Sequence, residues 1–446
     1  MMALERATKI LNGIMTGENV NFSSVSTDTR SLQAGDLYIA LHGELFDGHD
    51  YIVQAQQAGA VAAIVHKDVE TSLPVIKVED TRKALGGLAA AWRQSFGGKV
   101  VAITGSNGKT TVKEMVSAIV AKQGEVLATR GNFNNDIGLP LTLLRMEQED
   151  FAVIEMGANH LGEISNLTSI TQPDVALINN AGQAHLEGFG SLKGVAQAKG
   201  EIYQGLADDG IAIINCDDGF ADYWRELSVN KKIMGFSMQD KTAEVYGEWQ
   251  QTGTGGNLSV QLSGKELNIS LKVYGLHNAM NALAAITVAK ALDIKHEFIT
   301  QALNEFSAVK GRLNFHRVGK TLTVIDDTYN ANPASLSAGI EVLCELPGKH
   351  WLVLGDMGEL GDDERRIHFD AGLKARTAGV TRLLTVGEAS RHAVDAFGDN
   401  AENFNSKDEL VSFIQKHQTE ELGILVKGSR FMHMEQIVDL LIKGST

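Results

Sequence analysis

The 446-residue sequence predicts an α/β protein of three domains: a small mixed α/β N-terminal module, a central P-loop-type parallel-sheet unit, and a C-terminal Rossmann-like doubly wound unit. Three observations carry this expectation. The chain is far longer than the ~250–300 residues at which one hydrophobic core stops growing. Short continuous apolar runs alternate with helix-period stretches, as in a parallel sheet covered on both faces. One glycine-rich turn, Thr104-Gly105-Ser106-Asn107-Gly108-Lys109-Thr110-Thr111, joins such a run to such a stretch.

Residues 1–80 hold three short apolar runs, DLYIAL (36–41), AVAAIV (60–65) and LPVIKV (73–78), separated by polar loops. Residues 81–310 form the larger block. TRKALGGLAAAWRQSF (81–96) has helical spacing and leads into KVVAITG (99–105). Further buried strands are predicted at FAVIEMG (151–157), VALINNAG (175–182) and IAIINCD (211–217), with a helix over 110–124. Residues 241–274 break the pattern. ELNISLKV (266–273) alternates apolar and polar, and Gly and Thr crowd 252–256, which predicts an antiparallel hairpin insertion. Residues 311–446 alternate again, with strands expected at TLTVID (321–326), HWLVLGD (350–356), RLLTVG (382–387) and GILVKGS (423–429). Leu336, Ile340 and Leu343 share one face of an intervening helix.

A formal net charge of −15 argues against nucleic acid and anionic membrane as partners, since both need a basic face. Anionic small molecules remain compatible, because a local basic pocket can sit in an acidic protein. Cys216 and Cys344 lack CxxC spacing, so two buried thiols in a reducing cytosol are expected. The first residues, MMALERATKILNGIMTG, are too charged for a signal peptide. No stretch reaches the roughly 20 apolar residues of a membrane span. The expectation is a cytoplasmic monomer.

The strongest local signal is the turn at 104–111. In a phosphate cradle, Gly105 and Gly108 let the backbone approach the anion, and the first N–H groups of the next helix point at it. Ser106, Asn107 and Thr111 complete the loop. Lys109 would face the β/γ-phosphates, and the Thr110 hydroxyl would reach Mg²⁺. The form is the short GxxGKTT one, since Ile103 stands where a longer loop has glycine. Glu155 ends a predicted strand, where open α/β sheets bind ligands. Its carboxylate suits Mg²⁺, although a surface or capping role fits the position too. His185 follows the next strand and is either a ligand or a hydrogen-bonded loop residue. Lys199, in AQAKGEIY, reads as an ordinary helix-face lysine. Asn134 and Asn135, in GNFNNDIGLP (131–140), serve a polar ligand or turn geometry equally well.

Taken together, TGSNGKTT, EMGANHLGEI, NNAGQAHLEGFGS with AKGEIY, YGLHNAMNALAA (274–285), KGR (310–312) and DDTYNANPAS (326–335) resemble the Mur ligase family. STDTR (26–30), LHGELFDGHDY (41–51), LGDMGELG (354–361) and LVKGSR (425–430) are similar to the branch that adds D-alanyl-D-alanine to UDP-N-acetylmuramoyl-tripeptide. The resemblance implies an ATP-dependent amide-bond ligase acting through an acyl phosphate, with those two small molecules and ATP as its partners. Alternatives are a relative adding another amino acid, a folylpolyglutamate synthetase, or a P-loop ATPase switch. By resemblance, Glu155 and His185 would hold Mg²⁺, and Lys199 matches a lysine the family carbamylates and uses as a metal ligand. His277, Asn278, Asp327 and Tyr329 would contact the nucleotide, and Arg312 its phosphates. Thr29, Arg30, Gly43, Asp47 and His49 match the uridine-nucleotide pocket.

Overall fold

The computed structural model describes residues 1–44, 46–182, 186–253, 255–418 and 421–443. The first sheet holds β1 (Ile14–Thr16), β2 (Ser24–Ser26), β3 (Asp36–Ile39), β4 (Ala62–Val65) and β5 (Val75–Lys77), in the order β1-β5-β4-β3-β2. Its neighbours run parallel except β1 and β5.

The central sheet has nine strands. They are β6 (Lys99–Thr104), β7 (Val126–Ala128), β8 (Phe151–Glu155), β9 (Val175–Ile178), β10 (Ile211–Asn215), β11 (Lys232–Ser237), β12 (Val245–Thr252), β13 (Gly255–Leu262) and β14 (Lys265–Leu271). Their order is β14-β13-β12-β11-β10-β9-β6-β8-β7. The parallel strands are apolar on both sides because both faces are covered. Val100, Ala102, Ala152 and Ile154 enter one hydrophobic cluster, while Val101, Ile103, Phe151 and Val153 enter another. The first cluster continues without a break into the N-terminal module through Leu37, Ile39, Ile64 and Ile76.

The expected hairpin over 241–274 is a larger structure. β12, β13 and β14 form an antiparallel three-stranded meander, and β12 pairs in parallel with β11. The insertion therefore lengthens the main sheet. Its middle strand was obscured in the sequence because it opens on Gly255-Gly256, which carry no side chains to show alternation.

The third sheet holds β15 (Asn314–Val318), β16 (Leu322–Asp327), β17 (Lys349–Gly355), β18 (Arg382–Val386), β19 (Ala401–Phe404) and β20 (Leu422–Lys427), in the order β15-β16-β20-β17-β18-β19. Only β15 is antiparallel to its neighbour. Leu352 and Leu354 face one cluster and Val353 the other, as a doubly wound unit requires.

Five helices matter for the site: α1 (Thr81–Arg93), α2 (Lys109–Val120), α3 (Leu192–Gly200), α4 (Leu276–Ala291) and α5 (Pro333–Cys344). α1 is capped by Asp80, whose carboxylate accepts from Arg82 N and Lys83 N. α5 starts on a capping box between Asn332 and Ser335, with Pro333 just inside it. Thr104, Glu155, Ile178, Asp327 and Lys427 are the last residues of β6, β8, β9, β16 and β20. The fold thus delivers them to the carboxyl edges of two parallel sheets, where α/β proteins bind ligands. Among the described residues, no helix is long and apolar enough to cross a membrane.

Candidate active site

The turn after β6 is held from below by asparagines. Asn107 N donates to Asn180 Oδ1 at 2.9 Å, and Asn107 O accepts from Asn179 Nδ2 at 2.9 Å and Asn180 Nδ2 at 3.1 Å. Asn179 also donates to Asn281 Oδ1 on α4 at 2.8 Å. Ser106 Oγ exchanges hydrogen bonds with the backbone of Gly182, at 3.1 and 2.9 Å. Gly108 lies at φ 79°, and a β-carbon there would collide with Asn281 and Asn179. Glycine is required at this point for conformation and for space. The loop is consequently preformed, with the N-terminus of α2 opening upward.

Lys109 Nζ donates to the Gly105 carbonyl at 2.6 Å. Crowding by protein lowers its pKa, Glu155 opposes that shift and Arg312 adds to it. Glu155 is buried. Its Oε2 accepts from Thr110 Oγ1 at 3.0 Å and its Oε1 from Asn134 Nδ2 at 2.8 Å. Asn135 instead turns back on the following backbone, accepting from Gly138 N at 2.9 Å. Lys199 on α3 is only 2% exposed, and its Nζ lies 5.9 Å from the Phe189 ring centroid. Burial pushes its pKa far down, and the nearby Lys109 charge pushes the same way. It is not the solvated helix-face lysine that its sequence context suggests. The small neighbours Ala196, Ala198 and Gly200 were the available sign that its surroundings pack tightly.

The third sheet closes the other side. Arg312 stacks on Tyr329 with its guanidinium carbon 4.1 Å from the ring centroid, and its Nε is buried with no hydrogen-bond partner among the described residues. A buried guanidinium N–H left open is a place for an anion. Asp327 pairs with the buried Lys427 and accepts from Leu313 N at 3.3 Å. Burial lowers the Lys427 pKa, and Asp327 counters it. His277 is held neutral-leaning by burial, again countered by Asp327. Asn278 Nδ2 donates to Tyr274 O at 2.8 Å and Asn278 Oδ1 accepts from Asn281 Nδ2 at 3.3 Å. Asn332 Nδ2, from the cap of α5, reaches across to Asn107 Oδ1 at 2.9 Å. Between the two sheets lies a cleft of about 710 Å³ lined by Lys109, Thr110, Asn134, Glu155, Arg312 and Tyr329 among others. A smaller cavity of about 260 Å³ adjoins it, walled by His277, Asn278, Arg312, Asp327 and Lys427. Their shared wall includes Asn107 and Gly108.

The sequence matches the Mur ligase family catalytic domain over residues 21–93, the Mur ligase middle domain over 103–289, and the Mur ligase glutamate ligase domain over 311–430. It is 42% identical to the UDP-N-acetylmuramoyl-tripeptide--D-alanyl-D-alanine ligase of Escherichia coli (strain K12), covering 100% of this chain and 99% of that one. This chain belongs to the Mur ligase family. The Bacillus subtilis (strain 168) ligase of the same name is 36% identical, over 96% of this Mur ligase and 94% of its own length. Among solved structures, MurF from Acinetobacter baumannii superposes with a TM-score of 0.92 at 36% identity over 98% of each chain. MurF from Thermotoga maritima in complex with ADP gives 0.85 at 27% identity, over 94% of this chain and 97% of that one.

Within this Mur ligase, none of the N-terminal candidates lines the cleft; Asp47 and His49 belong to a charged cluster of their own. Asp47 accepts from His49 N at 3.0 Å, His49 Nδ1 at 2.5 Å and Lys67 Nζ at 2.6 Å. His49 Nε2 accepts from His66 N at 3.1 Å, so Nδ1 carries the proton and the ring is neutral. Gly43 N donates to Phe46 O at 2.9 Å. Thr29 is half-buried, whereas the Arg30 side chain is 88% exposed and grips Asp28. His185 lies outside the described residues. Lys427, Asn180, Asn281 and Asn332 escaped sequence reasoning as site residues. All four lie inside NNAGQAHLEGFGS, YGLHNAMNALAA, DDTYNANPAS and LVKGSR, but nothing local distinguishes a buried lysine or a bridging asparagine from a solvated one.

Proposed function

We propose that this chain joins D-alanyl-D-alanine to UDP-N-acetylmuramoyl-tripeptide at the expense of ATP, releasing ADP and phosphate, in peptidoglycan precursor synthesis. The observation that carries this is the cleft itself. A preformed phosphate loop with Lys109 and Glu155 faces Arg312 and Asp327 from a second sheet, so one triphosphate can touch both.

A carboxylate lacks a leaving group. Transfer of the γ-phosphoryl group to the tripeptide carboxylate gives an acyl phosphate, which the dipeptide amine attacks with expulsion of phosphate. The backbone N–H groups of residues 105–111 cradle the phosphates, and Lys109 leaves the Gly105 carbonyl to neutralise them. Arg312 supplies its open Nε to the same charge. Asp327 and Lys427, with His277, Asn278 and Tyr329, form the walls for ribose and base. Holding the reacting atoms near 3–3.5 Å contributes roughly 7–11 kcal/mol, and water must be kept from the acyl phosphate.

Thr110 and Glu155, whose oxygens meet 3.0 Å apart, suit a hard cation and would hold Mg²⁺, with His185 and Lys199 at a second position. The bound ion would spread the charge of the transferring phosphoryl group. Lys199 fits the carbamylation expected by family likeness, since burial favours the neutral amine that must attack CO₂. Thr29, Arg30, Gly43, Asp47 and His49 would form the uridine-nucleotide pocket. Arg30 offers the exposed charge there, while Asp47 and His49 fix the loop. We expect a cytoplasmic monomer.

Mass spectrometry of the product from UDP-muramoyl-tripeptide, D-alanyl-D-alanine and ATP tests the reading. The expected product is the pentapeptide amide. A protein that hydrolyses ATP without forming it would be a nucleotide switch instead.

A further inference from the structure

Lys113 is a buried cation with no part in phosphoryl or acyl transfer. It lies on α2 one turn beyond Thr110, and its side chain is 2% exposed. Its Nζ donates to the Thr129 carbonyl at 2.7 Å and stands 2.6 Å from Glu114 Oε1, a carboxylate that is itself 41% exposed. One neutral carbonyl and one half-solvated carboxylate make up for little of what desolvating an ammonium costs. A methionine would pack α2 against the sheet without that loss. Packing alone therefore does not account for the charge.

The carbonyl that Lys113 grips ends the shortest strand of the central sheet. β7 has three residues and lies at the sheet's edge, with only β8 beside it among the described residues. Thr129, the next residue, is buried and bonds to β8 twice. Its N donates to Val153 O at 3.1 Å, and its Oγ1 accepts from Glu155 N at 2.9 Å. Further on, Asn134 holds the Glu155 carboxylate through Nδ2, and its own carbonyl accepts from Gly157 N at 2.8 Å. Arg130, Gly131, Asn132 and Phe133 between them are exposed. The segment 129–134 thus sets both the backbone and the carboxylate of Glu155, and Lys113 fastens the start of that segment to the phosphate-loop helix. α2 consequently reaches Glu155 by two routes. One is direct, through Thr110 Oγ1 at 3.0 Å, and the other runs one turn later through Lys113 and Thr129.

Resting on the assignment of Thr110 and Glu155 to Mg²⁺ above, we propose that Lys113 is a positioning residue for the metal site. Acting through Thr129, it fixes Glu155 against Thr110 and so sets how the two oxygens receive the cation. Mg²⁺ tolerates little error in the placement of its ligands. Here one ligand comes from a helix and the other from a strand end whose edge neighbour is short. A charge-assisted bond is roughly twice as strong as a neutral one, which explains why an ammonium and not an amide makes the tie. The residue that joins the two supports governs affinity for the ion without touching it.

The test uses Mn²⁺ as the probe, with the full chain saturated by ADP and bound metal followed by electron paramagnetic resonance. ADP affinity without metal is measured by calorimetry in EDTA. K113M and T129V are each expected to weaken Mn²⁺ binding roughly 10- to 100-fold, the range for outer partners of metal ligands, with metal-free ADP affinity changed less than about twofold. T129S keeps the hydroxyl that receives Glu155 N and should retain wild-type metal affinity. In the double variant K113M/T129V the losses should not add, because both substitutions cut one chain of bonds. Ligation by K113M should need more Mg²⁺ for its half-maximal rate and recover at high Mg²⁺. Unchanged Mn²⁺ affinity in folded K113M or T129V, an equal loss of metal-free ADP affinity, or fully additive losses in the double variant would overturn the positioning role. If K113M does not fold, T129V against T129S decides alone. A wild type that binds no Mn²⁺ alongside ADP overturns the metal assignment and this proposal together. Failure of the ligase reading is a separate result: the wild type forms no amide, while the metal affinities of the variants keep the order given.

Discussion

The charged cluster of the N-terminal module and the charged cluster at the phosphate loop are built on opposite principles. Around Asp47 every charge is answered from within: His49 and Lys67 surround the carboxylate and hold its pKa below the usual range, although burial works the other way. At the phosphate loop the cations are left short. Lys109 rests on a carbonyl, Lys199 is packed near an aromatic ring, and Arg312 Nε has no partner among the described residues. A self-satisfied cluster shapes a loop. A cluster with surplus buried positive charge is completed by an anion from outside, and it retains that demand only because the packed sheets hold it in place.

If the contrast is right, mutations at the two clusters should fail in different currencies. Lys109→Ala should lower kcat for ligation by roughly 10³-fold while the melting temperature is unchanged or rises, because a buried cation is removed rather than a bond. Phosphate-release assays beside thermal denaturation check this, and a folded, fully active variant would break the comparison. Lys199→Ala should cost on the order of 100-fold in activity, the range for groups that support a metal site. Small carboxylates or CO₂-rich buffer should restore part of it; full activity without them would remove the role assigned to Lys199.

Lys427→Met sharpens the contrast from between the two extremes. It leaves Asp327 buried without its partner, and urea unfolding should show a loss of about 3–5 kcal/mol together with a raised KM for ATP. Asp47→Asn is expected to be mildest, costing about 1 kcal/mol as a weakened cap, with KM for ATP unaffected. The wild-type contribution of Asp47 should also vanish in acid. Its folded pKa is depressed below the unfolded value near 3.9, so the stabilisation is complete above that pH and is lost as pH falls through the folded value. Unfolding curves for wild type and Asp47→Asn should therefore start to draw together only as pH falls below about 4, and meet only below the folded value.

Much of the phosphate-loop half was legible in the sequence. A strand, a Gly-rich turn and a helix are consecutive, so TGSNGKTT declares its own context, and Glu155 announces itself as the last residue of an apolar run. The other half was legible only through family likeness. Asp327 and Lys427 are 100 residues apart, and Asn107 and Asn332 are separated by 225. No spacing rule links such positions. Lys199 misled residue-level reasoning for a related reason: its fate depends on what covers α3, not on the helix itself.

The sequence by itself determined the alternation of strands and helices and the strand–turn–helix setting of the glycine-rich loop, because periodicity and turn chemistry act over a few residues. Tertiary structure alone decided which charges are buried, which are paired, and that the carboxyl edges of two sheets face one cleft. Desolvation and Coulomb energies depend on distances through space, and those are set only when remote segments pack together.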